Sequence, residues 1–134
     1  MIRVLIVDDH LLMRQGINAL LIKAQEIAIV GEARDGKEAL ELAERLQPDV
    51  ILMDIEMPRL DGLQATRQLV DSGNPAKIII LSMRTDETTV RRAVNCGAQG
   101  YLVKNSGRED LIGAIRTVYE GGRAASPDIE SFFY

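Results

Sequence analysis

Short apolar runs rich in β-branched residues recur along the chain and alternate with segments of helical period. Five runs are near-continuously apolar, as expected of strands buried on both faces of a sheet: Ile2–Val7, Ile27–Gly31, Val50–Met53, Lys77–Leu81 and Gly100–Val103. Each is followed by a segment with apolar residues at helical spacing, the most regular of which begins at Leu111 and ends at Tyr119. The pattern therefore predicts consecutive strand–helix units.

This alternation predicts an α/β fold with a parallel sheet and helices on both faces. Because crossover connections are right-handed, helices cover both faces only if the direction of winding reverses once. We therefore expect a flavodoxin-like, doubly wound, five-stranded sheet of strand order 2-1-3-4-5. Sites in such sheets lie beyond the carboxyl ends of the strands, at the reversal between strands 1 and 3.

The residues that follow the predicted strands are charged or polar. Asp8 and Asp9 follow strand 1, Asp54 follows strand 3, Ser82 follows strand 4 and Lys104 follows strand 5. Carboxylates gathered at one edge repel, since two unit charges about 4 Å apart cost roughly 4 kcal/mol at an effective dielectric constant near 20. The cluster therefore predicts either a protonated aspartate or a bound cation. Oxygen ligands favour Mg²⁺, Mn²⁺ or Ca²⁺, and few protein ligands with room for water favour Mg²⁺.

Lys104 and Ser82 are suited to the oxygens of a phosphoryl group, and an acidic metal site beside a cation is typical of phosphoryl transfer. The segments that carry this chemistry resemble the receiver domain of two-component response regulators over residues 2 to about 121: Leu5–His10, Asp54–Pro58, Leu81–Ser82 and Gly100–Lys104. The segments 8–10, 14–16 and 100–105 further resemble the NarL/FixJ subfamily.

The resemblance implies a phosphorylation-controlled signalling switch, with self-catalysed phosphotransfer and autodephosphorylation, rather than an enzyme of metabolism. The resemblance also implies that a partner sensor histidine kinase supplies the phosphoryl group and that Mg²⁺ or Mn²⁺ is the cofactor. The implied roles are phosphorylation at Asp54, metal binding by Asp8, Asp9, Asp54 and the backbone carbonyl of Glu56, and phosphoryl binding and switching by Ser82, Lys104 and Tyr101. Whether phosphorylation also drives homodimer formation is left open.

The composition of the chain changes after Gly122. We expect residues 1–122 to form the receiver domain and residues 123–134 to be the start of a linker or a C-terminal tail. The linker-like Arg123–Pro127 favours a domain boundary, whereas the apolar Phe132–Tyr134 keeps a docked terminal segment open as the alternative. The NarL/FixJ resemblance implies a LuxR-type helix-turn-helix domain after the linker, absent from this chain, that binds DNA and regulates transcription.

Charge and composition limit the other possibilities. The chain has 16 Lys and Arg against 20 Asp and Glu, a net charge of −4, which argues against nucleic-acid binding by this domain itself and against a polybasic membrane surface. The single cysteine, Cys96, excludes an internal disulfide and fits a reducing compartment, so we expect a cytoplasmic protein without membrane contact. We interpret the single histidine, His10, as a helix-start residue rather than a metal ligand.

Three other function classes fit the sequence less well. Phosphatases with an aspartate nucleophile carry an Asp-x-Asp motif after strand 1, whereas here Asp8 and Asp9 are adjacent. A flavin binder needs a phosphate-binding loop after strand 1, where these two carboxylates would repel a phosphate. A phosphorylation-independent pseudo-receiver scaffold is the remaining alternative, and the full acidic set with Lys104 argues against it.

Overall fold

Strands and helices alternate through most of the computed structural model, which describes residues 1–134. The elements are β1 (Ile2–Val7), α1 (Leu11–Leu21), β2 (Ile27–Ala33), α2 (Gly36–Leu46), β3 (Val50–Asp54), α3 (Gly62–Asp71), β4 (Lys77–Ser82), α4 (Glu87–Cys96), β5 (Gly100–Val103), α5 (Arg108–Tyr119), β6 (Ala124–Ala125), a 3₁₀ turn (Pro127–Ile129) and α6 (Glu130–Phe133). None of the helices combines the length and the apolar character that crossing a membrane requires.

The strands form one parallel sheet in the order β2-β1-β3-β4-β5-β6. The predicted doubly wound fold and the order 2-1-3-4-5 are confirmed. The predicted strand count was wrong by one, because the sheet has six strands. The additional strand, Ala124–Ala125, pairs with Gly100 and Tyr101 of β5. Two alanines carry no strand signal in the sequence, and their pairing is explained by the open backbone edge of β5.

The sheet separates two apolar layers. On β1, Leu5 and Val7 pack into the layer under α2, α3 and α4, whereas Val4 and Ile6 pack into the layer under α1 and α5. Neither face of the central strands meets solvent, which is why their sequences are continuously apolar instead of alternating. The edge formed by the carboxyl ends of the strands is therefore the place where polar side chains gather.

Three aspartates cap helices, and in this respect they differ from the aspartates at the carboxyl edge of the sheet. Asp35, Asp61 and Asp86 accept hydrogen bonds from backbone N–H groups in the first turns of α2, α3 and α4. His10 occupies the N-cap position of α1 without a side-chain capping bond, in agreement with its interpretation as a helix-start residue. Asp8, Asp9 and Asp54 have no such capping role, so their proximity needs another explanation.

The C-terminal segment packs against the rest of the domain. The interpretation of residues 123–134 as a linker start or a C-terminal tail stays a prediction. Ile129 and Phe133 are buried in the layer that contains α4. The backbone N–H of Ser126 donates to the Tyr101 carbonyl at 3.0 Å, and Ser126 Oγ accepts from the Val103 N–H at 3.0 Å. The Arg123 guanidinium lies 4.6 Å from the centre of the Phe133 ring. The segment is thus fastened to β5 by backbone hydrogen bonds and to α4 by apolar packing.

Candidate functional site

An acidic cluster lies at the carboxyl edge of the sheet, where β1 and β3 are neighbours. Asp8 follows the last residue of β1, and Asp54 is the last residue of β3. Asp8, Asp9, His10 and Asp54 each offer a potential ligand atom, and these atoms all lie within 4.8 Å of one another. The Asp8 and Asp54 carboxyls are buried, and Asp9 is half-buried. The predicted convergence of the three aspartates is therefore what the structure shows.

Lys104 brings a positive charge between two of these carboxylates. Its Nζ lies 3.0 Å from Asp8 Oδ2 and 3.0 Å from Asp54 Oδ1. Burial lowers the pKa of Lys104, but the hydrogen bonds to Asp8 and Asp54 outweigh burial and leave that pKa above its ordinary value. The ammonium therefore stays charged and offsets part of the repulsion within the cluster.

The surroundings of Asp54 disfavour the charged form of its carboxyl group. Burial, and then the neighbouring charge of Asp8, raise the pKa of Asp54 from 3.8 to about 6, although Lys104 and a hydrogen bond from the Ile55 N–H oppose the shift. That N–H donates to Asp54 Oδ1 at 2.9 Å. Near neutral pH the group is thus an ionised carboxylate with incomplete solvation, which is the state in which it can act as a nucleophile or bind a cation.

The donor set fits a hard divalent cation. Both carboxylate oxygens of Asp8 have partners, because Oδ1 accepts a hydrogen bond from the His10 N–H at 2.9 Å and Oδ2 contacts Lys104. By contrast, Asp9 Oδ1 is a buried carboxylate oxygen that accepts no hydrogen bond. His10 Nδ1 lies 3.1 Å from it, outside hydrogen-bonding geometry. A buried, unsatisfied oxygen among carboxylates is where an oxygen-seeking cation such as Mg²⁺ gains most.

Ser82 and Tyr101 meet at the loop between β4 and α4. Ser82 is buried, and its Oγ accepts from the Arg84 N–H at 3.0 Å. The Tyr101 ring is buried, while its hydroxyl donates to the Arg84 carbonyl at 2.7 Å. Burial raises the pKa of the Tyr101 phenol, so the hydroxyl remains a donor at neutral pH. Both residues therefore hold the same backbone unit, that of Arg84.

Glu56 lies at the mouth of the site rather than inside the cluster. Its side chain is exposed and accepts from Arg84 Nη1 at 2.9 Å. The ion pair joins the loop after β3 to the loop after β4. The contribution of the Glu56 backbone carbonyl to metal binding stays a prediction.

No role was predicted for Arg14 from the sequence. This residue of α1 contacts the backbone of the acidic cluster. Its guanidinium is nearly buried, with Nη1 donating to the Asp8 carbonyl at 2.7 Å and Nε donating to Glu32 Oε1 at 2.9 Å. A signal was present in the sequence. Arg14 precedes Ile17 by three residues and Leu21 by seven, so it lies on the buried face of α1, where a charge requires partners.

Comparison with known proteins agrees with this geometry. The family model described as "Response regulator receiver domain" matches residues 4–116. The response regulator GacA of Pseudomonas aeruginosa is 42% identical over 129 residues, which are 96% of this chain and 60% of GacA. The chain therefore spans about three fifths of the length of that relative.

Solved structures are similar over most of the chain. A two-component response regulator of the LuxR family from Aurantimonas sp. SI85-9A1 superposes with a TM-score of 0.91 at 35% identity, over 98% of this chain and 94% of that one. The receiver domain of a regulator named NarL from Mycobacterium tuberculosis gives a TM-score of 0.87 at 35% identity, over 90% of this chain and 97% of that one. The chain belongs to the response regulator receiver domain family and is of the NarL/FixJ type, which confirms the resemblance seen in the sequence.

Proposed function

We propose that this domain accepts a phosphoryl group on Asp54 from a sensor histidine kinase, with Mg²⁺ or Mn²⁺ bound by Asp8, Asp9, Asp54 and the Glu56 backbone carbonyl. The observation that supports this most is the placement of Lys104 Nζ 3.0 Å from Asp54 Oδ1, beside the unsatisfied oxygen of Asp9. A carboxylate that can act as a nucleophile, the Lys104 ammonium and one unsatisfied carboxylate oxygen then lie together at one edge of the sheet.

In the proposed reaction, an Asp54 oxygen attacks the phosphorus of a phosphohistidine. A phosphorus–oxygen bond forms as the phosphorus–nitrogen bond breaks, and the leaving imidazole nitrogen takes its proton from water. A divalent cation in the acidic cluster would neutralise charge on the phosphoryl oxygens. Lys104, released in part from the Asp54 carboxylate, contacts one phosphoryl oxygen, and the Ser82 hydroxyl donates to another.

The switch follows from the bonds that Ser82 gives up. Ser82 Oγ now accepts from the Arg84 N–H, and Tyr101 donates to the carbonyl of that same residue. A Ser82 hydroxyl drawn toward a phosphoryl group shifts the Arg84 backbone, and Tyr101 loses or changes its acceptor. The Ser126 N–H donates to the Tyr101 carbonyl, so the C-terminal segment is directly connected to the residue that responds. We propose that this response controls a LuxR-type DNA-binding output and hence transcription.

The test is the intact mass of the protein after incubation with acetyl phosphate and Mg²⁺. We expect the addition of one phosphoryl group, lost when Mg²⁺ is chelated and lost in Asp54→Asn. Asp71→Asn, which alters an exposed aspartate at the end of α3, is the matched control and should be modified normally. Absence of any addition would favour the pseudo-receiver scaffold, and addition that persists in Asp54→Asn would show that another residue is the acceptor.

A further inference from the structure

A buried arginine braces the turn that carries Asp9. Arg14 lies on the core-facing side of α1, and its side chain is only 10% exposed. Its Nη1 donates to the backbone carbonyl of Asp8 at 2.7 Å, and its backbone N–H donates to the carbonyl of His10 at 3.1 Å. The side chain of Arg14 therefore holds the residue before Asp9, while its backbone N–H makes the ordinary helical bond to the residue after Asp9.

The guanidinium of Arg14 is itself held in place. Its Nε donates to Glu32 Oε1 at 2.9 Å, and Asn18 Nδ2 donates both to the Arg14 carbonyl at 3.0 Å and to Glu32 Oε2 at 3.1 Å. Glu32 belongs to β2, which pairs with β1. The arrangement thus joins α1, β1 and β2 just below the acidic cluster. A long side chain fixed at both edges of its guanidinium has little rotational freedom, and the Asp8 carbonyl is fixed with it.

Asp9 depends on this brace more than the other two carboxylates do. The Asp8 and Asp54 side chains accept backbone hydrogen bonds and contact Lys104. Asp9 Oδ1 accepts none, and its close polar neighbour is the largely exposed His10 ring. The position of the Asp9 oxygen is therefore set by the backbone on either side of it.

We propose that Arg14 is a positioning residue for the divalent cation, acting on Asp9 through the Asp8 carbonyl and the first turn of α1. The inference rests on the proposed function, because it requires that a cation at this cluster supports phosphorylation of Asp54. Arg14 makes its ion pair with Glu32 and none with the cluster. Its loss is therefore expected to displace a metal ligand, while the phosphoryl contacts of Lys104 and Ser82 stay intact.

The experiment measures two quantities in the wild type, Arg14→Met and Arg14→Lys. Mg²⁺ affinity is determined by calorimetry, and the initial rate of phosphoryl incorporation from acetyl phosphate is measured as a function of Mg²⁺ concentration. We expect Arg14→Met to bind Mg²⁺ about tenfold more weakly, as is typical when a group that orients a metal ligand is removed. Its rate should return to that of the wild type at saturating Mg²⁺. The Mg²⁺ affinity of Arg14→Lys should lie between those of the wild type and Arg14→Met, because an ammonium cannot hold the Asp8 carbonyl and Glu32 in one fixed geometry.

Arg116→Met is the matched control. Arg116 pairs with Glu26 between α5 and the residue before β2, so its replacement also removes an arginine–glutamate pair, but away from the cluster. Its Mg²⁺ affinity should stay within about twofold of the wild type, since exposed pairs contribute little. Urea unfolding of all variants separates loss of stability from loss of metal affinity.

Three outcomes would overturn the proposal. If both Arg14 variants bind Mg²⁺ as the wild type does, Arg14 only supports the fold. If their rates stay low at saturating Mg²⁺, Arg14 acts by a route other than the cation. If the wild type neither binds Mg²⁺ nor gains a phosphoryl group, the proposed function fails first and the inference falls with it. Should Arg14→Met not fold, Arg14→Lys decides by the same criteria.

Discussion

Replacing Asp54 by asparagine is expected to stabilise the metal-free domain at neutral pH. Burial and the charge of Asp8 raise the pKa of Asp54 from 3.8 to about 6. An unfolded chain returns this group to its ordinary pKa. Between about pH 4 and pH 6 the native state therefore holds a proton that the unfolded state has lost, so the free energy of unfolding falls as pH rises through this window. Above about pH 6 the penalty is complete, and an asparagine avoids it.

The size of the effect follows from the pKa difference. About two pKa units correspond to roughly 3 kcal/mol. Relaxation of the polar groups around this buried carboxyl reduces the figure, so we expect a gain of about 1 to 2 kcal/mol at pH 7. Asparagine keeps an oxygen that can accept from the Ile55 N–H, and Lys104 keeps Asp8 as a partner. The substitution therefore removes the charge with little other change.

Urea unfolding in the presence of a chelator, at about pH 7 and about pH 4, measures this difference. The gain should disappear at the lower pH, where Asp54 is protonated in the native state. Added Mg²⁺ should narrow the gap at pH 7, because the cation stabilises the wild type. Glu41→Gln removes an exposed negative charge on α2 and serves as the control for net charge. The reasoning is refuted if Asp54→Asn is no more stable than the wild type at pH 7, or if its advantage is equally large at pH 4.

Three further substitutions, two of them paired with a control substitution, test the site and its surroundings. Lys104→Met leaves two carboxylates without their shared cation and should destabilise the domain by about 3 kcal/mol at neutral pH in urea unfolding, less at low pH. Phe133→Ala should cost about 3 kcal/mol, whereas Tyr134→Ala, at an exposed ring, should cost under about 0.5 kcal/mol; equal costs would contradict the docking of the C-terminal segment. Gly62→Ala places a methyl group 1.8 Å from the Asp54 carbonyl and should abolish phosphorylation, whereas Gly113→Ala, with open space around it, should leave the incorporation measured by mass unchanged.

The acidic cluster was predictable because it depends on topology rather than on fine geometry. Once the apolar runs are assigned to a doubly wound sheet, the residues at the carboxyl ends of β1, β3 and β5 must meet at one edge. Asp8, Asp54 and Lys104 are therefore brought together by strand order alone. The raised pKa of Asp54 was not predictable, because it depends on how much water reaches the carboxyl group in the folded domain.

Two features escaped prediction for a different reason. The pairing of Ala124–Ala125 with β5 comes from tertiary context, since neither residue favours a strand by itself. The brace formed by Arg14 depends on a partner, Glu32, that lies in β2 and is predicted by no local pattern. In both cases the contact satisfies polar groups of a neighbouring element. Those groups can be recognised only once the packing of the elements is known.

The order of strands in the sheet also has a consequence for how the domain assembles during synthesis. Asp8 and Asp54 become neighbours as soon as β1 and β3 pair, whereas Lys104 is supplied only after β5. A partly assembled sheet therefore carries two close carboxylates without the cation that separates them in the finished domain. The same intermediate exposes the backbone edge of β4. Addition of β5 covers that edge and brings Lys104 to the two carboxylates in one step, so the same strand protects the edge of β4 and balances the charge of the site.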